Sequence, residues 1–323
     1  MAREIADEVE QHAVSSWLWK KLHAKLIDGF TFTMPDTAKN QAQFPQQKAQ
    51  KPGDGLPIAR AVAILSSATA CVMDRYYCSF MMIALLLSQG TQVCARKHHL
   101  RHSDFRRGKR LGKYDHLIMW TRPKRPTWMD EATYARIPET LVLREIRYNV
   151  VVPGSRTKTI DVITTLVDAG QYTKEDISEL YDFRWNSELD IRSIKSNLNL
   201  GHVRCKSPEM VGREIWTTFL GYNLIRTTAA AAALLHNKQP RQISFTSTCQ
   251  YVLSSWMLRS CQLLDSEQAT AHGKLLLAQI ASCEVGNRPG RLEPRVLKRR
   301  RHRYKLMQKP RSVLRRELRK RCT

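Results

Sequence analysis

The chain has 323 residues, with 53 Lys and Arg against 29 Asp and Glu, a formal net charge of +24 and an isoelectric point near 10.0, which points to a polyanionic partner, most simply nucleic acid. Eight scattered cysteines without a CxxC pair argue against a disulfide framework or a zinc ribbon. The longest apolar run, Phe80 to Leu87, is too short to cross a bilayer, and Met1 to Gln11 carries four acids and no apolar core, so the expectation is a soluble cytoplasmic protein with reduced thiols, built as one large domain or two small ones.

Along the chain, Ala6 to Leu26 reads as a helix with Val9, Trp17, Trp19 and Leu22 as its apolar positions. Lys25 to Gly29 reads as a short strand ending in the Asp28 carboxylate, and Met34 to Pro57, rich in Pro, Gly and Gln, as loop. Ala59 to Met73 is apolar and small, consistent with a strand or a buried helical segment that leads straight into Asp74. Phe80 to Leu87 follows as a buried helix. From Thr91 to Asp168 basic loops surround β-like runs, Thr140 to Val152 and Thr157 to Val167, joined by a Pro153-Gly154 turn.

A capping-box pattern, Thr173 with Asp176, opens the next helix. On that helix Tyr181, Arg184, Glu188 and Lys195 fall within about 60° of one another at about 100° per residue, and Arg192 widens the stripe. Leu180, Phe183, Leu189, Ile191 and Ile194 flank it as a buried side. Charged stripes are usually solvated faces, but one carboxylate among cations and a phenol is also suited to holding a metal ion while its neighbours grip phosphate oxygens. A second helix from Pro208 repeats Val211, Ile215, Phe219, Tyr222 and Ile225 at core spacing. The segment 286–323 carries sixteen Lys or Arg against two Glu, with Lys298, Arg299, Arg300 and Arg301 in a row suited to phosphate neutralisation.

The arrangement Tyr-x2-Arg-x3-Glu-x6-Lys, here YDFRWNSELDIRSIK, resembles the signature of bacterial insertion-sequence transposases of the insertion sequence 4 family, whose active site is Asp-Asp-Glu. NLGHVRCKSPEMVGREIWTTFLGYNLIR and the closing NRPGRLEPRVLKRR extend the resemblance. It implies an α/β, ribonuclease-H-like mixed sheet over residues 1–285, with a β-rich insertion at about 91–168 and a helical, basic C-terminal region whose tail is 286–323. IDGFTFTMPDT and VMDRYYCSF are similar to the segments holding the first and second catalytic Asp, so Asp28, Asp74 and Glu188 are the implied catalytic and metal-binding residues, with two Mg2+ (Mn2+ as substitute) as cofactor.

The same resemblance implies that Tyr181, Arg184, Arg192 and Lys195 bind DNA beside the metal and Lys298 to Arg301 bind it through the tail. The implied partners are double-stranded DNA, as element ends and target, and a second copy of the chain. The implied setting is the bacterial cytoplasm, at the nucleoid. Asp36 and Asp54 are rival carboxylates assigned to turns. His98, His99 and His102 near Cys94 match no zinc spacing. Trp120 and Trp128, set among Arg122, Lys124 and Arg125, suit either turn packing or base stacking.

The chain departs from the family pattern at two places. It has only a short stretch before Asp28, where relatives carry a helical end-recognition domain, and 45 residues between Asp28 and Asp74, where two strands and a helix are expected. Residues 58–73 have room for one strand and a turn. The alternative function is accordingly a DNA-binding remnant without catalytic activity.

Overall fold

The computed structural model describes residues 14–65, 70–150, 158–261, 265–286 and 309–321. Eight strands form one mixed sheet: β1 (Ala24–Thr33), β2 (Ile58–Leu65), β3 (Ala70–Met73), β4 (Gln92–Arg96), β5 (Lys109–Gly112), β6 (Asp115–Thr121), β7 (Thr140–Val150) and β8 (Lys158–Thr164), in the order β2-β1-β3-β4-β8-β7-β6-β5. Strands β1, β3 and β4 are mutually parallel, and the rest pair antiparallel, so the sheet has the mixed α/β, ribonuclease-H-like character expected. The helices are α1 (Ala38–Gln43), α2 (Phe80–Ser88), α3 (Glu131–Arg136), α4 (Lys174–Asp182), α5 (Arg184–Arg192), α6 (Pro208–Leu235), α7 (Phe245–Ser260), α8 (Ser266–Ser282) and α9 (Arg311–Arg321).

All four residues of β3 are buried, because both faces of the sheet are covered there. On one face α2 brings Phe80, Ile83 and Ala84 against Ile27, Cys71, Met73 and Val93. On the other, Leu26, Phe30, Phe32 and Val72 meet Ile177, Leu180, Ile194, Val211 and Tyr222 from the helices that follow β8. The period of two in β1 therefore sends Leu26, Asp28, Phe30 and Phe32 toward α4, α5 and α6, and Ile27 and Gly29 toward α2. A third apolar cluster joins the Ala229, Ala232 and Ala233 stretch of α6 to Ile243 and to Ile280 and Ala281 of α8.

The structure corrects several expectations. Residues 1–13 lie outside the described residues, and from Ser15 to Trp17 the chain makes a single 3-10 turn rather than a helix running to Leu26. Lys20 and Lys21 then adopt positive φ (44° and 66°) in a tight turn that pairs Trp19 with Leu22, and the buried Trp19 ring stacks on Tyr172 at 5.8 Å. Burial of that one indole against a distant aromatic outweighs local helical pattern. Strand β1 does not end at Asp28 but runs to Thr33, since Phe30 and Phe32 continue its buried face, Phe30 meeting Phe219 of α6 edge-on at 6.3 Å. The Pro-rich loop contains α1, capped by the Thr37 hydroxyl accepting from Asn40 N–H. The fully buried Asn40 amide donates to the carbonyls of Pro35 and Cys205.

Between Asp28 and Asp74 the chain places α1, the eight-residue β2 and the four-residue β3, so residues 58–73 hold two strands where one strand and a turn were expected, with no helix between β2 and β3 among the described residues. Residues 66–69 lie outside the described residues. In the β-rich stretch, β7 and β8 pair as an antiparallel hairpin, while Pro153-Gly154 also lies outside the described residues. The buried Arg144 guanidinium bonds both Asp115 oxygens (2.8 and 2.5 Å) and the Tyr172 carbonyl (2.6 Å), tying β6 and β7 to the segment that enters α4. The capping box is present as read: the Thr173 hydroxyl accepts from Asp176 N–H and the Asp176 carboxylate from Thr173 N–H. The single stripe helix, however, is broken at Phe183, where bonding shortens to Phe183 N–H with the Leu180 carbonyl, and it loosens into a π turn at Ser193–Asn197.

Candidate functional site

Strands β1 and β3 run in parallel with Ile27 opposite Met73. Asp28 and Asp74 each follow that matched pair by one residue, so the register sets the two abreast, Asp28 within β1 and Asp74 just past the end of the neighbouring β3. Asp74 begins a 3-10 turn, Arg75–Tyr77, that leads into α2. Asp28 is half-buried, and its Oδ1 accepts the Gly29 N–H at 2.8 Å.

Glu188 approaches from α5, which packs on β1. Its Oε1 accepts a 2.6 Å hydrogen bond from Arg184 Nη2, one helical turn earlier, and Arg184 Nη1 lies 3.9 Å from Asp28 Oδ2. The guanidinium thus bridges two carboxylates from separate elements. Burial lowers the Arg184 pKa, but the Glu188 hydrogen bond, the Tyr181 phenol and the charges of Glu188 and Asp74 more than offset it, leaving a net rise. Ser187, buried between them, sets its Oγ 3.0 Å from Asp28 Oδ2 and 2.7 Å from the Arg184 carbonyl, two alternative acceptors for one proton.

Tyr181 is buried at the end of α4, its phenol pushed above the usual range first by burial, with Asp74 adding to the rise and Arg184 opposing it. Arg192 is exposed, and Lys195 sits half-exposed in the π turn. The interruption at Phe183 leaves Tyr181 buried and Arg184 and Glu188 half-buried, and Tyr181 and Arg184 stay close enough to shift each other's pKa. Lys298, Arg299, Arg300 and Arg301 lie outside the described residues.

Sequence reasoning missed Ser187, and it missed the anchor of α5. Asp190, with no exposed surface, accepts from Arg226 of α6 (2.6 Å) and from both terminal nitrogens of Arg241 (2.7 and 3.2 Å). It lies two residues beyond Glu188, so this clamp ties the helix that carries Glu188 to α6 and to Arg241. The only sequence signal was an acid on the side of α5 opposite the basic stripe. Tyr77 was also missed; its phenol lies under Gly29 on the far face of β1, and burial followed by the Asp28 and Asp74 charges raises its pKa.

The rival residues fall into structural settings. Asp36 accepts from Gln41 and Arg311, and Trp120 has one face covered by Arg101 at 3.9 Å, whereas Trp128 is exposed. His98 and His99 rings lie 4.4 Å apart with Tyr76 edge-on to His98. Among the described residues no group of three or more His, Cys, Asp and Glu side chains is drawn close enough to enclose a metal ion. Asp28, Asp74 and Glu188 are nevertheless a hard oxygen donor set of the kind that divalent magnesium prefers. The cationic position between Asp28 and Glu188 is held here by Arg184, so an ion shared by those two carboxylates requires the guanidinium to move aside.

Comparison with known proteins matches residues 54–224 to the Transposase DDE domain family, a span that includes Asp74, Tyr181, Arg184, Glu188 and Lys195. The chain belongs to that transposase family. Asp28 lies ahead of the matched span. A relative, transposase InsG for insertion sequence element IS4 from Escherichia coli (strain K12), is 25% identical over 329 aligned positions, covering 88% of this chain and 70% of the relative. Membership makes DNA the substrate of this transposase and implies use of a divalent metal. No described helix is long and apolar enough to cross a membrane.

Proposed function

We propose that this transposase cuts DNA strands at the ends of its own insertion sequence and joins them to target DNA, with Asp28, Asp74 and Glu188 holding two Mg2+ ions. When bound, such ions neutralise the attacking and leaving oxygens of an in-line phosphoryl transfer. In the first step water attacks a backbone phosphorus and the bond to the 3′ oxygen breaks, leaving a 3′ hydroxyl and a 5′ phosphate. In the second, that hydroxyl attacks a target phosphorus, forming one phosphodiester bond as another breaks and releases a new 3′ hydroxyl.

The observation that supports this reading most is the matched register of β1 and β3, which sets two carboxylates abreast, opposite a third on α5. Arg184 has two roles in it: it screens Asp28 and Glu188 from each other in the free protein, and on substrate binding it turns to a phosphate oxygen, for which its planar fork is suited. Ser187 holds Asp28 in orientation throughout. Arg192 and Lys195 follow the DNA backbone outward from the cleft, and Lys298 to Arg301 extend that contact. The protein acts as a homodimer bridging two element ends, in the bacterial cytoplasm at the nucleoid.

The test is nicking of supercoiled plasmid by purified protein with Mg2+ or Mn2+, beside Glu188→Ala. Metal-dependent nicking that disappears in the variant supports the proposal. DNA bound but uncut by both proteins overturns it and leaves a DNA-binding remnant.

A further inference from the structure

The loop between β1 and β2 is not slack. Gln46 stitches it: its amide nitrogen donates to the carbonyls of Gln50 and Lys51, and its oxygen accepts from the N–H groups of Gly53 and Gly55. Gln41 adds bonds to Asp36 and the Gly55 carbonyl. Onto this loop docks α9, from far along the chain. Arg311 Nη1 lies 3.2 Å from Asp36 Oδ2, Arg311 N–H donates to the Gly53 carbonyl, and Pro310 packs against Gly53, which holds a φ of +85° that L side chains rarely adopt.

Six of the eleven residues of α9 are Lys or Arg, against the single acid Glu317, which pairs with Lys309. On the helical wheel Arg315, Arg316, Arg319 and Lys320 span an arc of about 140°. All four are exposed, while Val313 and Leu314 are half-buried. The loop on which α9 docks itself exposes Lys48 and Lys51 together with Gln47 and Gln50. Its two acids, Asp36 and Asp54, are both half-buried, and Asp36 is occupied by Arg311. At 1.5 Å per residue α9 is about 16 Å long, and one DNA strand passes about five phosphates over that length.

We infer that α9, docked on the Asp36–Gly55 loop, forms a second duplex-DNA surface, separate from the carboxylate cleft, that grips the phosphate backbone. This rests on the reading that the chain acts on duplex DNA. A held helix retains its charges in one geometry, so it loses less entropy on binding than a loose basic tail does.

The test is duplex binding by the full chain, followed by fluorescence anisotropy across a salt series, beside plasmid nicking. Arg315→Ala with Arg316→Ala removes two exposed charges; the slope of log affinity against log salt falls by about 1.8, at about 0.9 per phosphate contact. Asp36→Asn separates a docked surface from bulk charge. It makes the protein more positive, so bulk electrostatics expects tighter binding, whereas loss of the Arg311 anchor weakens it several-fold. An unchanged salt slope in the first variant, or binding by Asp36→Asn as tight as the parent, overturns the inference. So does an equal dependence on Arg315 and Arg316 for structured RNA bound in preference to duplex DNA. The catalytic proposal fails independently, by nicking that does not depend on Glu188.

Discussion

Arg184 and Glu188 form a 2.6 Å ion pair one turn apart on α5, and this pair closes the gap between the helix and Asp28. A guanidinium there does for the free protein what a bound cation would do: it relieves repulsion between carboxylates brought together from two elements. The pair is half-exposed, so its worth to stability is small, and its consequence lies in competition for the carboxylates.

Arg184→Ala removes that competitor. Mn2+ binding, measured by titration calorimetry on the free protein, is expected to tighten, while DNA nicking falls because the phosphate contact is lost. Weaker Mn2+ binding in the variant would show that Arg184 supports the metal-holding geometry instead of blocking it.

Asp190→Asn tests the clamp that anchors α5. Burial opposes the Asp190 charge, but Arg241 and Arg226 outweigh it and hold the carboxyl below its usual range. Removing the charge leaves two guanidinium groups facing a neutral amide, at a cost of about 3 kcal/mol, the low end for broken buried pairs because both Arg heads keep some contact with water. The sign of the pH dependence follows. A carboxyl depressed in the folded state contributes stability above its unfolded pKa, near 3.9, and that contribution is lost as pH falls through the lower folded value. Urea unfolding of the parent is therefore expected to show a loss of stability below about pH 4 that is smaller in Asp190→Asn.

Gly29→Ala would drive a methyl group into the Tyr77 hydroxyl, while the ring carbon behind that oxygen would lie at an ordinary 3.5 Å. The substitution is expected to cost about 1–3 kcal/mol as overpacking, and Tyr77→Phe in the same chain should recover most of it. A double-mutant cycle on thermal unfolding measures this. Additive losses would mean that the hydroxyl is not the obstacle.

Ser187→Ala removes a side-chain hydrogen bond to Asp28, whose other side-chain neighbour among the described residues, Arg184, stands 3.9 Å away. Loss of that hydrogen bond is expected to cost about 1 kcal/mol in stability and to lower nicking more than it lowers DNA affinity. Equal losses in both would assign Ser187 to packing alone.

The elements legible in the residues were those whose signal lies within one short segment. The Thr173–Asp176 capping box, the buried helix from Phe80 and the apolar period of α6 are set by neighbours three or four positions apart, and the structure shows each. The helix before β1 failed, because Trp19 gains more by stacking on Tyr172 than its neighbours gain from helical bonds. The helix that carries the stripe was read as one, but the structure divides it at Phe183, where Phe183 N–H bonds the Leu180 carbonyl, so α4 and α5 are separate elements.

Composition and spacing were enough to establish a strongly basic chain with a charged helical stripe, because charge and local periodicity are properties of the chain itself, whereas the transposase reading came from the resemblance of the Tyr-Arg-Glu-Lys pattern to a family signature and is borne out by the family match. The fold decided the rest. Ser187 meets Asp28 across 159 positions, Arg226 meets Asp190 across 36, and Arg311 meets Asp36 across 275. Such pairs join residues with no local relation to each other, and only sheet register and helix packing bring them within hydrogen-bonding distance.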